Sequence, residues 1–316
     1  MNPPPFLVSF AATEQLLGAL PDEVRNLYGA PFEALAPRGL PPVVSIRCLA
    51  TLFGYSSKFT GAMYRRSERY YRAFSIPTGK KQRTIHAPKG ALKVIQKWFG
   101  FYLAETFKCG DCVYGFVKGR SAVEAASSHC GADWVYSLDI ADFFPSTPLI
   151  KVKEALKEPG YPDHGAELVA MLCCYNGTLA QGSPASPVLS NLVFCHADAE
   201  LEAVAKHFKV DFTRYADDIV FSGTGEFPAE LKSEIRTIIE SNGWTIATQK
   251  ERLAKRPNRL KVHGLLVNGP VPRLTKGYRN RIGAFGHLLD TDRVGPGDVE
   301  RLRGHLSYAH SVEHYH

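Results

Sequence analysis

The sequence predicts an α+β fold with an antiparallel sheet, and three features predict it. Two β-rich runs, Tyr70–Ile76 and Arg83–His86, flank a turn at Pro77-Thr78-Gly79-Lys80-Lys81. A short apolar strand is predicted at Trp134–Asp139. A third pair of runs, Asp211–Tyr215 and Ile219–Ser222, is separated only by Ala216-Asp217-Asp218 and reads as a hairpin with two acids in its turn. The stretches between them carry apolar residues at helical spacing and are too long for strands.

Taken in order, residues 1–45 are rich in proline and alanine and read as an N-terminal extension, with one helix near Glu14–Tyr28 and a loop at Pro37–Pro42. Ile46 to Arg66 has helical spacing around Leu49, Leu52 and Met63. The turn after Ile76 has glycine where the chain reverses and lysines at its tip. Leu92–Phe107 reads as an amphipathic helix. Trp134–Asp139 runs into Ile140-Ala141-Asp142-Phe143-Phe144-Pro145, where Pro145 ends it because proline donates nothing to a ladder. Gln181-Gly182-Ser183-Pro184 introduces a helix over Pro184–Phe208; a proline in the first turn lacks only an amide that would be unpaired there anyway.

With 316 residues and 45% hydrophobic composition, the chain can bury one large core or two modest ones. The net charge of +7 fits a polyanionic partner, and its distribution says more. Lys58 to Lys97 holds eleven Lys/Arg against the single acid Glu68, and Lys250 to Leu306 holds thirteen against five acids. Asp198 to Glu240 reverses the sign, with ten acids against five bases. Basic arms around an acidic centre suit a nucleic-acid cleft with a metal-binding floor. The seven cysteines are odd in number and scattered, and Met1-Asn2-Pro3-Pro4-Pro5 has neither the basic start nor the apolar core of a secretion signal. A reduced, cytoplasmic setting is expected, and no run of about 18 apolar residues suggests a membrane span. Cys109-Gly110-Asp111-Cys112 with His129-Cys130 lacks the spacing of a zinc ribbon or finger, so buried or loop thiols are expected there.

The acids supply the chemistry. Two-metal phosphoryl transfer needs carboxylates that hold a pair of divalent cations about 3.5–4 Å apart. Asp139 leaves one strand and Asp217-Asp218 sit in a hairpin turn, so adjacent strands would gather all three at one sheet edge. The plainer alternative is that Asp217 and Asp218 are ordinary turn residues.

Tyr215-Ala216-Asp217-Asp218 resembles the Tyr-x-Asp-Asp box of reverse transcriptases, and other motifs follow in order. Asp139-Ile140-Ala141-Asp142-Phe143-Phe144-Pro145 resembles that family's first catalytic motif, and Gln181-Gly182-Ser183-Pro184-Ala185-Ser186-Pro187 its template- and nucleotide-facing motif. Arg83, in Gln82-Arg83-Thr84-Ile85, falls where the family's fingers arginine meets the incoming triphosphate. Lys250, after Gly243-Trp244-Thr245-Ile246, falls in the motif whose lysine lies near the active site. From Arg83 to Leu306 the chain resembles retron reverse transcriptases, including Tyr114-Gly115-Phe116 and Leu302-Arg303-Gly304-His305-Leu306-Ser307-Tyr308. It departs from two retron signatures. Asn-Ala-x-x-His is Ala125-Ala126-Ser127-Ser128-His129 here, and Val-Thr-Gly is Val262-His263-Gly264. Both departures are expected in RNA-facing elements.

The resemblance implies a right-hand polymerase: after the extension at 1–45, fingers at 46–137, a palm with antiparallel sheet at 138–260 and a short thumb at 261–316. It implies Asp139, Asp217 and Asp218 as catalytic and metal-binding residues, with Ile140 a further metal ligand, and two Mg2+ ions as cofactor. Lys81, Arg83, Asp142, Phe144, Gln181 and Lys250 would bind nucleotide; Tyr215, His263, Lys276, Arg279 and Arg281 would meet primer or RNA. Phe144 resembles the steric gate that excludes a ribose 2′-hydroxyl, against a core role for both phenylalanines. Asp142 has a capping alternative, Gln181 that of a loop polar residue, Tyr215 that of a strand aromatic, His263 that of a packed strand residue, and the basic trio that of a solvated face. Implied partners are dNTPs, a structured noncoding RNA as template and primer, the branched RNA–DNA product (msDNA) and a separate defence effector protein, with no membrane. The competing readings are another bacterial reverse transcriptase (abortive-infection, diversity-generating or group II intron-like) and an RNA-binding scaffold that has lost catalysis. The three aspartates argue against the scaffold.

Overall fold

The computed structural model describes residues 13–78, 81–291, 293–295 and 297–315, without the side chains of Thr13, Thr78 and Lys81. The tip residues Gly79 and Lys80 of the expected basic turn lie outside the described residues. The helix expected at Glu14–Tyr28 is two helices, α1 (Thr13–Gly18) and α2 (Asp22–Leu35), because Pro21 stands at the N-cap of the second. The loop expected at Pro37–Pro42 starts in a 3-10 turn, Ala36–Arg38, that ends at Gly39 with φ 66°. Ile46 to Arg66 also divides. In α3 (Ile46–Phe53) the Ser45 hydroxyl accepts from the Cys48 amide at 3.1 Å, and Gly54 ends the helix at φ 67°. In α4 (Ser57–Arg65) Ser56 caps the Phe59 amide at 3.2 Å. Each such cap stabilises its helix by about 1 kcal/mol, enough to favour two short helices over a continuous one through glycine.

The expected strands follow: β1 (Tyr71–Thr78) and β2 (Lys81–Pro88) pair antiparallel in one hairpin. Then come α5 (Gly90–Thr106), α6 (Ala122–Ser127) and β3 (Trp134–Asp139). After α7 (Leu149–Lys157) and α8 (Asp163–Cys173), a small hairpin joins β4 (Cys174–Tyr175) to β5 (Thr178–Leu179). The long α9 (Ser186–Phe208) leads to β6 (Asp211–Tyr215) and β7 (Asp218–Gly223). The chain continues through α10 (Ala229–Ser241), β8 (Arg252–Lys255), β9 (Lys261–Val262), β10 (Leu265–Leu266), α11 (Lys276–Asp290) and α12 (Val299–Glu313). No helix among the described residues is long and apolar enough to cross a membrane.

The chain forms two compact units, Met1–Gly110 with Asp142–His196, and Asp111–Ala141 with Ala197–His316; the second boundary falls inside α9. The first unit has a core in which α3, α5 and α8 are prominent, with Leu49, Leu92, Leu103 and Leu168 fully buried. Phe53 meets Trp98 edge to face at 5.3 Å. Each such side chain contributes about 1.5–3 kcal/mol by leaving water. The second unit is organised on an antiparallel sheet in the order β6-β7-β3-β8. Its two central strands are covered on both faces: β7 is buried from Ile219 to Gly223, and β3 at Trp134, Val135, Tyr136, Leu138 and Asp139. Val135 and Val220 continue into a second apolar cluster with Val123, Leu260, Val262, Leu265, Ala309 and Val312. The α+β expectation with an antiparallel sheet is met. That sheet sets the positions of Asp139 and Asp218 and of the turn that carries Asp217.

Candidate active site

Register brings the acids together. β3 pairs with β7 so that Asp139 lies opposite Asp218, and β6 pairs with β7 so that Tyr215 also lies opposite Asp218. Two residues, Ala216 and Asp217, close the turn. Ala216 has φ 59°, a left-handed conformation that the first position of a type II′ turn normally gives to glycine. An alanine there stores strain of about 1–2 kcal/mol, so the surroundings must hold it.

Three devices do so. The fully buried Arg214 donates from Nη1 to the Ala216 carbonyl at 3.0 Å, while its Nε and Nη2 meet the two oxygens of Asp198 at 2.6 Å each. Gly115 lies behind the turn so closely that a Cβ would come within 2.1 Å of the Ala216 nitrogen. On either side, the Arg214 amide donates to the Cys112 carbonyl and the Tyr114 amide to the Arg214 carbonyl, both at 2.8 Å. Beneath the hairpin, the buried His129 holds Thr213 of β6 through Nε2 and Ser222 of β7 through Nδ1, both at 2.7 Å. Burial, helped by nearby His263, pushes the His129 ring down to about 3, so it stays neutral in the fold. The Asp139 side is equally fixed: Ile140 donates to the Asp217 carbonyl at 3.0 Å, and the Asp139 carbonyl accepts from Ala247 at 2.8 Å.

Charge is concentrated where the backbone is rigid. Asp139 is 7% exposed and is pushed up to about 6, first by burial and then by Asp217 and Asp218, against the opposing pull of Lys250. The Lys250 ammonium donates to Asp139 Oδ2 at 2.6 Å. Although burial opposes its charge, Lys250 is held above its ordinary value by Asp139, Asp217 and Asp218. Burial raises Asp218, but His263, Asp139 and Lys250 outweigh it and the net shift is downward. Crowded carboxylates whose mutual repulsion a cation would relieve, offering hard oxygen donors, fit a divalent metal.

The remaining expected residues fall as follows. In the first unit, Arg83 is exposed on β2 opposite Ile76, and the side chain of Lys81 lies outside the described residues. The Gln181 carbonyl accepts from the His86 amide at 2.7 Å, and Gly182, at φ 120°, leaves no room for a Cβ beside Ile85. The Gln181-Gly182 loop is thus seated against β2. Asp142 is exposed, has φ 47°, and accepts from Ser146 through its backbone carbonyl. Phe143 is a core residue against Phe194 at 5.9 Å, while Phe144 is only half-buried. In the second unit, Lys276, Arg279 and Arg281 are exposed on α11, a helix with no buried residue. Tyr215 is half-buried with its ring 5.2 Å from that of His263. Lys250 touches Asp139.

Two expectations need correction. His129, expected in an RNA-facing element, is buried beneath β6 and β7, and both ring nitrogens are engaged, so it offers no zinc ligand. His263, expected on a surface that reads RNA, has only 7% of its side chain exposed and points its Nδ1 at Asp218 Oδ2, 3.7 Å away. Sequence reasoning passed over Arg214 and Asp198, and quoted Gly115 within a motif without a structural role. Arg214 stands in Asp211-Phe212-Thr213-Arg214-Tyr215, where nothing local marks it as buried. Cys112 is a buried thiol pushed up to about 12 by burial first. The described donors most tightly gathered are Glu158, Cys195 and His196, within 4.8 Å of one another at the first unit's surface.

Residues 76–266 match the family described as reverse transcriptase (RNA-dependent DNA polymerase). The chain is 30% identical to the retron Mx162 reverse transcriptase of Myxococcus xanthus, over 92% of this chain and 69% of that one. It is 29% identical to the retron Ec86 reverse transcriptase of Escherichia coli, over 74% and 73% respectively. Among solved structures, telomerase from Candida albicans with a fragment of telomeric RNA aligns with a TM-score of 0.48 and 11% identity, over 70% of this chain and 50% of that one.

Proposed function

The chain belongs to the reverse transcriptase family and is an RNA-directed DNA polymerase of the retron type; from that premise we propose that Asp139, Asp217 and Asp218 are its catalytic carboxylates, holding two Mg2+ ions. The observation that carries the assignment is the register of β3, β7 and β6, which sets Asp139 opposite Asp218 with Asp217 in the adjoining turn. Ile140 adjoins the same site through its bond to Asp217. When bound, the ions would neutralise charge on the attacking 3′-oxygen and on the leaving pyrophosphate. The protein's own contribution is to fix the carboxylates, with Lys250 holding Asp139 in place.

The rest of the reading assigns roles by unit. Lys81, Arg83, Asp142, Phe144 and Gln181, all of the first unit, form the proposed dNTP-binding set, with Phe144 excluding the ribose 2′-hydroxyl; Lys250 joins them in function. Tyr215 meets the primer terminus, and Lys276, Arg279 and Arg281 follow a phosphate backbone by salt-sensitive attraction. Fingers at 46–137, palm at 138–260 and thumb at 261–316, after an extension at 1–45, are the corresponding domain proposal. The template is a structured noncoding RNA, priming starts from one of its 2′-hydroxyls, and the product is a branched RNA–DNA hybrid. The setting is the bacterial cytoplasm, and the role is anti-phage defence with a separate effector.

The test is Asp217→Asn or Asp218→Asn in primer extension on a generic primed RNA. Either change removes one charge from the cluster and little packing, so DNA synthesis should fall to background while RNA binding and melting temperature persist. Incorporation at the wild-type rate by either variant would overturn the assignment.

A further inference from the structure

Asp139 and Asp218 face each other across two strands, yet they are held on different terms. Asp139 is buried and is bonded directly by Lys250. The Asp218 side chain is 52% exposed, and besides Asp139 and Lys250 the group that faces it is the imidazole of His263. We propose that His263 is a positioning residue that orients the Asp218 carboxylate for cation binding, a job separate from reading RNA. The proposal rests on the assignment of Asp218 as a metal-binding carboxylate.

The backbone supplies the first argument. Val262-His263-Gly264-Leu265 is a two-residue hairpin turn between β9 and β10, with φ 47° at His263 and 84° at Gly264. Two left-handed residues in succession mark a type I′ turn, for which Asn-Gly is the unstrained choice. A histidine at the first position costs conformational energy that asparagine would avoid. The turn alone does not account for it.

Burial supplies the second. The ring is more than nine-tenths buried, and its Nε2 has no hydrogen-bond partner among the described residues. A desolvated ring nitrogen without a partner costs about 1–3 kcal/mol. Simple packing would be better served by an apolar side chain. The feature that distinguishes an imidazole here is the other nitrogen, Nδ1, which lies 3.7 Å from Asp218 Oδ2. The tautomer with its proton on Nδ1 directs that donor at the carboxylate.

Rigidity supplies the third. The ring is confined by the tight turn and by Tyr215, whose ring centre is 5.2 Å away, and Tyr215 is itself the register partner of Asp218. A fixed donor therefore limits the rotation of a half-exposed carboxylate that Asp139 and Lys250 also address. At 3.7 Å the contact is looser than a hydrogen bond and leaves the carboxylate oxygens available to a cation. Groups that orient ligands in this way typically change metal affinity or activity by about 10- to 100-fold when removed.

The experiment compares His263→Gly, His263→Leu and His263→Asn in the full chain. Glycine keeps the left-handed turn and removes the ring, leucine keeps the buried volume and removes the donor, and asparagine keeps both the turn and a side-chain N–H. Mn2+ binding is read by electron paramagnetic resonance, beside melting temperature and Mg2+-dependent extension of a generic primed RNA and a structured one. A folded Gly or Leu variant should need about tenfold or more Mn2+ for half-saturation. Its Mg2+ requirement should rise in parallel on both templates, and the Asn variant should recover most of the affinity. Wild-type Mn2+ binding by either folded donor-less variant overturns the proposal. So does an Asn variant as weak as Gly, or a loss confined to the structured template. Failure of the wild type itself to extend a primer would instead overturn the polymerase reading, while the Mn2+ titration would still report on His263.

Discussion

The hairpin β1–β2 pairs eight residues on each strand, yet Arg72 to Pro77 stand exposed along nearly all of its first strand. The hairpin β6–β7 is shorter, and five of the six residues of β7 are buried. The first hairpin is held at its base, where the Lys89 amide bonds the Tyr70 carbonyl and the His86 amide the Gln181 carbonyl. The second is braced along its length by His129, Arg214 and Gly115. Elements with few buried contacts open at low free-energy cost, whereas buried and bonded ones open only with the whole domain. The proposed metal-binding carboxylates need fixed geometry, and a hairpin proposed to accept and release a nucleotide does not. The comparison therefore predicts that damage to β6–β7 costs stability and activity together, and that damage to β1–β2 costs substrate binding alone.

The largest effect is expected at the buried ion pair. Arg214→Met leaves Asp198 charged and unpaired, and breaking such a pair by removing one partner costs about 3–5 kcal/mol. The double variant Arg214→Met/Asp198→Leu removes both charges and should regain most of that stability, since apolar replacements of buried pairs are often neutral or better. It should not regain activity, because the strained Ala216 carbonyl still lacks its donor. Melting curves beside primer extension decide the point. A double variant with restored activity would mean that the pair serves stability only.

A smaller, pH-dependent effect is expected at His129. Its ring is pushed down to about 3 in the fold, while an unfolded histidine titrates near 6.5. Below 6.5 the unfolded chain takes up a proton that the folded chain refuses, so acid favours unfolding. The contribution is fully present above 6.5 and is lost towards pH 3 at up to about 1.4 kcal/mol per pH unit, or about 2 kcal/mol by pH 5. His129→Gln, whose amide can still address both hydroxyls, should melt lower at pH 7.5 yet lose less on acidification to pH 5. Equal losses in the two proteins would show that the ring does not carry this dependence.

These braces also mark where the sequence was legible and where it was not. The strand Trp134–Asp139 was readable to the residue, because a short apolar run bounded by an acid and a proline has one local interpretation. The helices over Leu92–Phe107 and Pro184–Phe208 were readable from length and apolar spacing. Helical spacing over Ile46 to Arg66 did not reveal the break at Gly54, which the serine caps Ser45 and Ser56 mark. The three aspartates proposed as catalytic stand out through a motif whose order along the chain is its signature. His129, Arg214 and His263 were not, since each owes its role to burial against residues tens of positions away. Nothing near His263 in the chain indicates that its turn delivers an imidazole to Asp218 rather than to solvent.

The smallest structural effect, and the sharpest test of the comparison, is expected at Arg83. It is exposed on β2 opposite Ile76, on a strand whose neighbours Gln82 and Thr84 are exposed as well. An exposed side chain of this kind changes stability by no more than about 0.5 kcal/mol when truncated, so Arg83→Ala should melt with the wild type. Its proposed job is to meet the triphosphate, and a hydrogen bond between charged groups contributes about 1.5–3 kcal/mol. That corresponds to roughly a 10- to 150-fold change, expected mainly in the KM for dNTP, because the guanidinium grips the substrate before and during transfer alike. Arg83→Lys keeps the charge without the planar fork and should fall between the two. Steady-state extension on a generic primed RNA at varied dNTP separates the outcomes. An unchanged KM would remove the nucleotide-gripping role from β1–β2. A lower melting temperature would show that the exposed hairpin is structural after all, and the contrast between the two hairpins would then rest on burial without a difference in function.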